Sequence, residues 1–165
     1  MPKVTPEHVR ARRAQILEGA RRCLARWGYD GATVPRLERE IGLSHGAIFN
    51  YYRSKLDLFI ALAQEDHDRF HELWRTDGFE GLARHIAHAD PAWLAVYFEL
   101  HRRLRTDAEL RRRWHAEPLR PLTEREAFAH TILNGLVFAR AAGVEIDVEP
   151  IVRLAQKALG RAGRN

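Results

Sequence analysis

The stretch TVPRLEREIGLSHGAIFNYYRSK, residues 33–55, decides the fold. It reads as two short capped helices joined by a glycine turn. Thr33 stands as an N-cap whose hydroxyl can accept from a backbone N–H one turn on. Pro35 follows in the first helical turn, where a missing N–H costs no intrahelical bond. Val34, Leu37 and Ile41 recur at helical spacing and make an inner face. Gly42 then tolerates the left-handed backbone that a sharp helix-to-helix turn demands. Ser44 caps the second helix of the pair, expected from His45 to about Tyr52. Ser54, with Asp57 three positions later, sets a capping-box pattern for the next helix.

Helical patterning extends in both directions. Upstream, Val9, Arg13, Ile16, Ala20, Cys23, Leu24 and Trp27 form one stripe with Arg13 as its polar gap. Gly28-Tyr29-Asp30-Gly31 is expected to end that helix. Downstream, Leu56, Phe59, Ile60, Ala63, Phe70, Leu73 and Trp74 mark a long helix that should end near Asp77-Gly78. A short helix is expected from Phe79 to His88, and Pro91 opens the next, through Trp93, Val96, Tyr97, Leu100 and Leu104. Thr106-Asp107 interrupts it, Ala108 to Trp114 resumes, and Pro118 and Pro121 break the chain. Thr123 to Ala142 reads as a long helix with Phe128, Ile132, Leu136 and Ala139 on one side. Gly143 ends it, and Pro150 starts a last helix, Ile151 to Leu159. No strand-length alternation and no internal repeat stands out. The expected fold is all-α: a three-helix helix-turn-helix domain over residues 10–70, then a small helical domain over 71–165.

Composition narrows the class of protein. The chain has 165 residues, 45% of them hydrophobic, enough for a core that needs no metal or disulfide staple. Cys23 is the single cysteine, so no internal disulfide can form. No apolar run approaches a membrane span, and Met1 to Arg13 is polar and basic, unlike a signal peptide. A cytoplasmic protein is expected. Charge is uneven: 11 Lys/Arg against 5 Asp/Glu up to Lys55, then 16 against 17 beyond it. The basic third favours a polyanion through counterion release, although charge alone fits a solvated cationic surface equally well.

The helix pair adds geometry to that charge. In a helix-turn-helix the first short helix braces against phosphates and the second presents its N-terminal residues to the major groove. Ser44, His45, Gly46 and Ala47 are small or modest there, which allows close approach. His45 and Asn50 can hydrogen-bond base edges or phosphates, and Ala47 and Phe49 can touch thymine methyls. Tyr51 and Lys55 are placed for the DNA backbone, whereas Ile48 and Tyr52 are expected to point inward. Catalysis finds no footing. There is no Gly-rich phosphate loop and no His-Glu-x-x-His, and the only serines, Ser44 and Ser54, read as caps. The chain is read as a non-enzyme without a cofactor.

Several residues fit a longer pattern. Ile16-Leu17-Glu18-Gly19-Ala20, Trp27-Gly28-Tyr29-Asp30-Gly31, Ala32-Thr33-Val34, Leu37, Gly42-Leu43-Ser44, Gly46 to Tyr52, Ser54-Lys55 and Leu58-Phe59 together resemble the signature of the TetR family, over residues 10–70. Glu18 to Cys23, Ala61-Leu62-Ala63 and Leu104 to Asp107 are similar to its aconitase-repressing subgroup. The resemblance implies a homodimeric repressor on a pseudo-palindromic operator. It implies dimerisation through the last two helices and a helical body, residues 71–165, whose small-molecule effector modulates DNA affinity. Ser44, Gly46, Ala47, Asn50, Tyr51 and Lys55 match positions that face DNA in that family, and Thr33 matches a cap that touches phosphate. Three departures stand out: His45 replaces the usual Lys or Arg, Phe49 replaces a common Tyr, and the stretch from Glu117 to Glu126 is about one helix short.

Other groups have two readings each. Trp93, Tyr97, His101 and Arg105 lie along one helix and either line an effector cavity or pack an ordinary core. His67 and His71 have metal-ligand spacing but read as a solvated face, so no metal site is assigned. Arg111-Arg112-Arg113 splay around a helix and suit ion pairing better than a second nucleic-acid patch. Cys23 reads as a small buried hydrophobe. The face of Thr123 to Ala142 either completes one subunit's core or meets a second subunit. Against the effector-responsive repressor stands a regulator without one, controlled by a protein partner or by dimer assembly.

Overall fold

A computed structural model describes residues 5–114 and 123–159, apart from the side chains of His101 and Leu159. Among the described residues there are eight helices and no strand. They are α1 (Pro6–Gly31), α2 (Val34–Ile41), α3 (His45–Phe49), α4 (Lys55–His88), α5 (Pro91–Thr106), α6 (Ala108–Trp114), α7 (Glu124–Ala141) and α8 (Val148–Leu159). The all-α expectation holds. The shortened stretch from Glu117 falls mostly within residues 115–122, outside the described residues.

The breaks come where glycine permits them. α1 kinks at Gly28, with φ 65° and ψ 177°, and α4 kinks at Gly78, with φ 64° and ψ −156°. Both lie in a region of backbone space that is essentially glycine-only. Gly42 ends α2 in the left-handed region, φ 74° and ψ 29°, and its N–H donates to Glu38 O at 2.8 Å.

The chain divides into two compact units. The first takes the described part of Met1–His67 together with Val96–Trp114. Its core joins Ile16, Ala20, Cys23 and Leu24 of α1 to Leu37 and Ile41 of α2, and to Ile48 of α3. Leu58, Phe59 and Leu62 of α4, Leu100 of α5 and Leu110 of α6 complete it. α1 and α2 approach so closely that a Cβ on Gly19 would lie 2.7 Å from Ile41 Cα. Trp27 departs from the expected stripe. It is 40% exposed, and the guanidinium of Arg36 lies 4.1 Å from its ring centroid. At the residue just before the kink, the helix face turns to solvent and cations cover the indole.

The second unit takes Asp68–Ala95 and the described part of His115–Asn165. Phe79, Leu82, Ala83, Ile86, Trp93 and Leu94 pack with Ala129, Leu133 and Leu136 of α7 and Val148, Val152 and Ala155 of α8. α7 starts on a full capping box between Thr123 and Glu126. Arg84 holds α8 to α4 through a two-pronged pair with Glu149, at 2.8 and 3.0 Å. The buried face of α7 is Ala129, Leu133 and Leu136; of the expected stripe Leu136 is buried, while Ile132 and Ala139 are half-buried. Phe128 is 44% exposed, so α7 carries apolar residues on two sides.

Candidate nucleic-acid interface

α3 is a five-residue helix with one buried anchor. Ile48 is fully buried and fixes the helix to the core. The helix ends at Phe49 rather than near Tyr52. Ile48 O accepts from Tyr51 N, three residues on, at 3.0 Å and from Tyr52 N, four residues on, at 3.3 Å, so the last turn tightens as the helix ends. Tyr52 is buried as expected, with the Arg13 guanidinium 5.7 Å from its ring centroid. Burial pushes the Tyr52 hydroxyl pKa up, and Arg13 partly opposes this.

What remains outside is the reading surface. Ser44, His45, Gly46 and Asn50 are exposed, and Ala47, Phe49 and Tyr51 are half-buried. The His45 and Phe49 rings meet at 4.5 Å, one helical turn apart. Thr33 is exposed at the start of α2. Both Thr33 and Ser44 take the extended backbone of an N-cap, φ −69° and φ −68°, yet neither hydroxyl bonds the helix it precedes. Hydroxyl capping was expected at both. At Thr33 the cause is legible: Pro35 removes one of the N–H groups that a cap hydroxyl finds. Their carbonyls start the helices instead, accepting from Leu37 N at 2.9 Å and Ile48 N at 3.1 Å. Ser54 does cap, accepting from Asp57 N at 3.1 Å.

Lys55 departs from its expected place on the DNA-facing surface. Its ammonium donates to Tyr29 O at 2.7 Å and lies 4.4 Å from the Tyr29 ring centroid. Burial lowers its pKa, while Asp30 works to raise it. Arg39 and Arg53 are exposed cations beside the pair that sequence reading did not single out. Three arginines in and around residues 33–55 were signal enough to suggest them.

Trp93 is buried in the second unit, whereas Tyr97 and Arg105 belong to the first. Tyr97 donates its hydroxyl to Asp66 Oδ2 at 2.8 Å, and Arg105 is exposed. The His101 side chain lies outside the described residues. Asp66 is the buried acid of the first unit, 4% exposed, and Arg21 grips it with two nitrogens, each at 2.9 Å. His67 and His71 are exposed, and no group of three or more potential metal ligands gathers among the described residues. Arg113 pairs with Asp57 at 2.5 Å, and Arg111 donates to Leu104 O and Arg105 O, so two of the three adjacent arginines have local partners. Cys23 is buried, which pushes its thiol pKa up. No helix among the described residues is long and apolar enough to cross a membrane.

A brace helix, a left-handed glycine and a second helix exposed at its tip define a helix-turn-helix regulator. The family model for bacterial regulatory proteins of the tetR family matches residues 16–62. The chain is 49% identical over 116 residues to the HTH-type transcriptional repressor Rv1474c of Mycobacterium tuberculosis, covering 69% of this chain and 62% of that protein. It is 35% identical to the HTH-type transcriptional repressor AcnR of Corynebacterium diphtheriae, covering 96% of this chain and 97% of the relative. That alignment runs over 184 positions, more than this chain's 165 residues, so the relative has residues without a counterpart here. Salmonella enterica GusR shares the fold, with TM-score 0.53, 20% identity and coverage of 96% of this chain and 83% of that one. The chain belongs to the TetR family of bacterial regulatory proteins, in the subgroup of the AcnR repressors.

Proposed function

We propose that the protein is a cytoplasmic transcriptional repressor that binds a pseudo-palindromic DNA operator as a homodimer. The observation that carries this reading is α3, anchored by Ile48 and exposing Ser44, His45, Gly46 and Asn50 in the basic third of the chain. Asn50 reads base edges, the free-standing Thr33 and Ser44 hydroxyls take phosphates, and Arg39 and Arg53 add charge beside them. Ala47 and Phe49 offer apolar contact to thymine, and Tyr51 reaches the backbone. Lys55 serves this surface from behind, by holding Tyr29.

Dimerisation runs through α7 and α8. Phe138 and Leu154 are 62% and 65% exposed on these helices, and Phe128 is a further exposed apolar side chain of α7. A second copy is the occupant that the family resemblance supplies. DNA affinity is modulated by a small-molecule effector in the C-terminal part. The short stretch from Glu117 to Glu126 favours a second reading, in which a protein partner or dimer assembly sets activity without an effector.

The test is selection from a randomised 30-base-pair duplex pool by the full chain, with affinities then measured against salt. The expected result is an enriched pseudo-palindrome, bound one dimer per site, with affinity falling steeply as salt rises. Equal retention of random and enriched duplexes would refute the reading.

A further inference from the structure

Tyr29 is held at both of its backbone polar groups and across its ring. The kink at Gly28 takes its N–H out of the helical ladder, and the Glu99 carboxylate of α5 accepts from that N–H at 2.5 Å. Its carbonyl accepts from Lys55. The Arg103 guanidinium lies 4.0 Å from its ring centroid, and Phe59 meets the ring edge-on at 5.0 Å. Arg103 also pairs with Asp30. Glu99 and Arg103 are four residues apart and share one face of α5. Gly28 leaves room for this approach, since a Cβ there would lie 2.6 Å from Glu99 Oε1.

The gripped turn leads directly into the reader. Ala32 N donates to Gly28 O at 3.0 Å and Thr33 N to Gly31 O at 2.8 Å, so four residues of tightly bonded chain separate Tyr29 from the start of α2. Arg36, within α2, bonds back to Gly31 O at 2.8 Å. A shift of the turn must therefore carry the brace helix with it.

We infer that Glu99 and Arg103 are positioning residues for DNA reading, which clasp the turn from Gly28 to Asp30 and thereby set where α2 and α3 stand. The reader is then not confined to residues 10–70. The segment Val96–Trp114 belongs to the same compact unit and supplies the clasp. This inference rests on the proposal that the helix pair reads DNA. Groove reading tolerates little displacement, whereas phosphate attraction tolerates much. Losing the clasp should thus lower specific binding while sparing non-specific binding.

The experiment uses the full chain and two duplexes: the one that wild type enriches from the randomised pool, and a scramble of it. Glu99→Leu removes the acceptor, Glu99→Gln keeps a neutral one, and Arg103→Met removes the stacked cation while keeping its stem. Glu99→Leu and Arg103→Met should each lower the ratio of specific to scrambled affinity by about tenfold. Glu99→Gln should restore it to within about threefold of wild type. Tyr29 amide exchange, measured in wild type, should be slow and should accelerate in Glu99→Leu. If wild type enriches no sequence, the DNA reading itself fails. If wild type enriches one but the variants keep its ratio, the clasp is overturned while the DNA reading stands. Fast Tyr29 exchange in wild type would overturn the clasp without any variant, so a variant that does not fold leaves the question decidable.

Discussion

Gly28→Ala and Gly78→Ala make a matched pair. The two glycines adopt nearly the same backbone, φ 65° and ψ 177° against φ 64° and ψ −156°. A side chain in that region costs about 1–3 kcal/mol at either position. Their surroundings differ. A Cβ at Gly78 meets nothing within 4 Å, while one at Gly28 comes within 2.6 Å of Glu99 Oε1. The crowded atom is the tip of a flexible side chain, so steric relief is easy. The loss is the charged hydrogen bond to Tyr29 N, worth about 1.5–3 kcal/mol. Gly28→Ala should therefore cost about 2 kcal/mol more than Gly78→Ala. Each glycine lies in a different compact unit, so the two costs are read by segment-resolved native-state hydrogen exchange, with urea unfolding as the global check. In a Glu99→Ala background the excess cost at Gly28 should shrink towards zero, as a double-mutant cycle requires. Equal costs at the two glycines, or an excess that survives removal of Glu99, would refute the reasoning.

Three further outcomes are expected. Asn50→Ala should relax base preference at one or two operator positions, each by about 1–3 kcal/mol of discrimination, while scrambled DNA binds as before; a selection experiment on the variant reads this directly. Arg21→Leu strands the buried Asp66 carboxylate with Tyr97 as a remaining neutral donor, and should destabilise the first unit by about 3 kcal/mol in urea unfolding. Cys23 should resist a thiol reagent in the native protein and react fully in denaturant, because it is buried and its thiolate is disfavoured; rapid native labelling would contradict this.

Much of the reader is legible along the chain because its signals are local. The breaks at Gly28, Gly42 and Gly78 each lie where a glycine follows a helical pattern, and α3's inward residue, Ile48, falls where the period puts it. Cap hydroxyls misled at Thr33 and Ser44, since the same residue types serve a cap or stand free, and only the hydrogen bonds distinguish these. Trp27 misled through its period: a helical stripe says which residues share a face but not where a neighbouring helix stops covering it.

The order of residues alone determined the helices, their turns, the basic head and the family, because periodicity, glycine conformation and charge act within a few positions of one another. Tertiary structure decided the partners of charges: Lys55 on Tyr29, Arg21 and Tyr97 on Asp66, Arg113 on Asp57, and Glu99 on a backbone N–H seventy residues away. A long polar side chain reaches whatever acceptor or donor the packed helices bring within about 3 Å, and nothing local in the chain specifies which one that is.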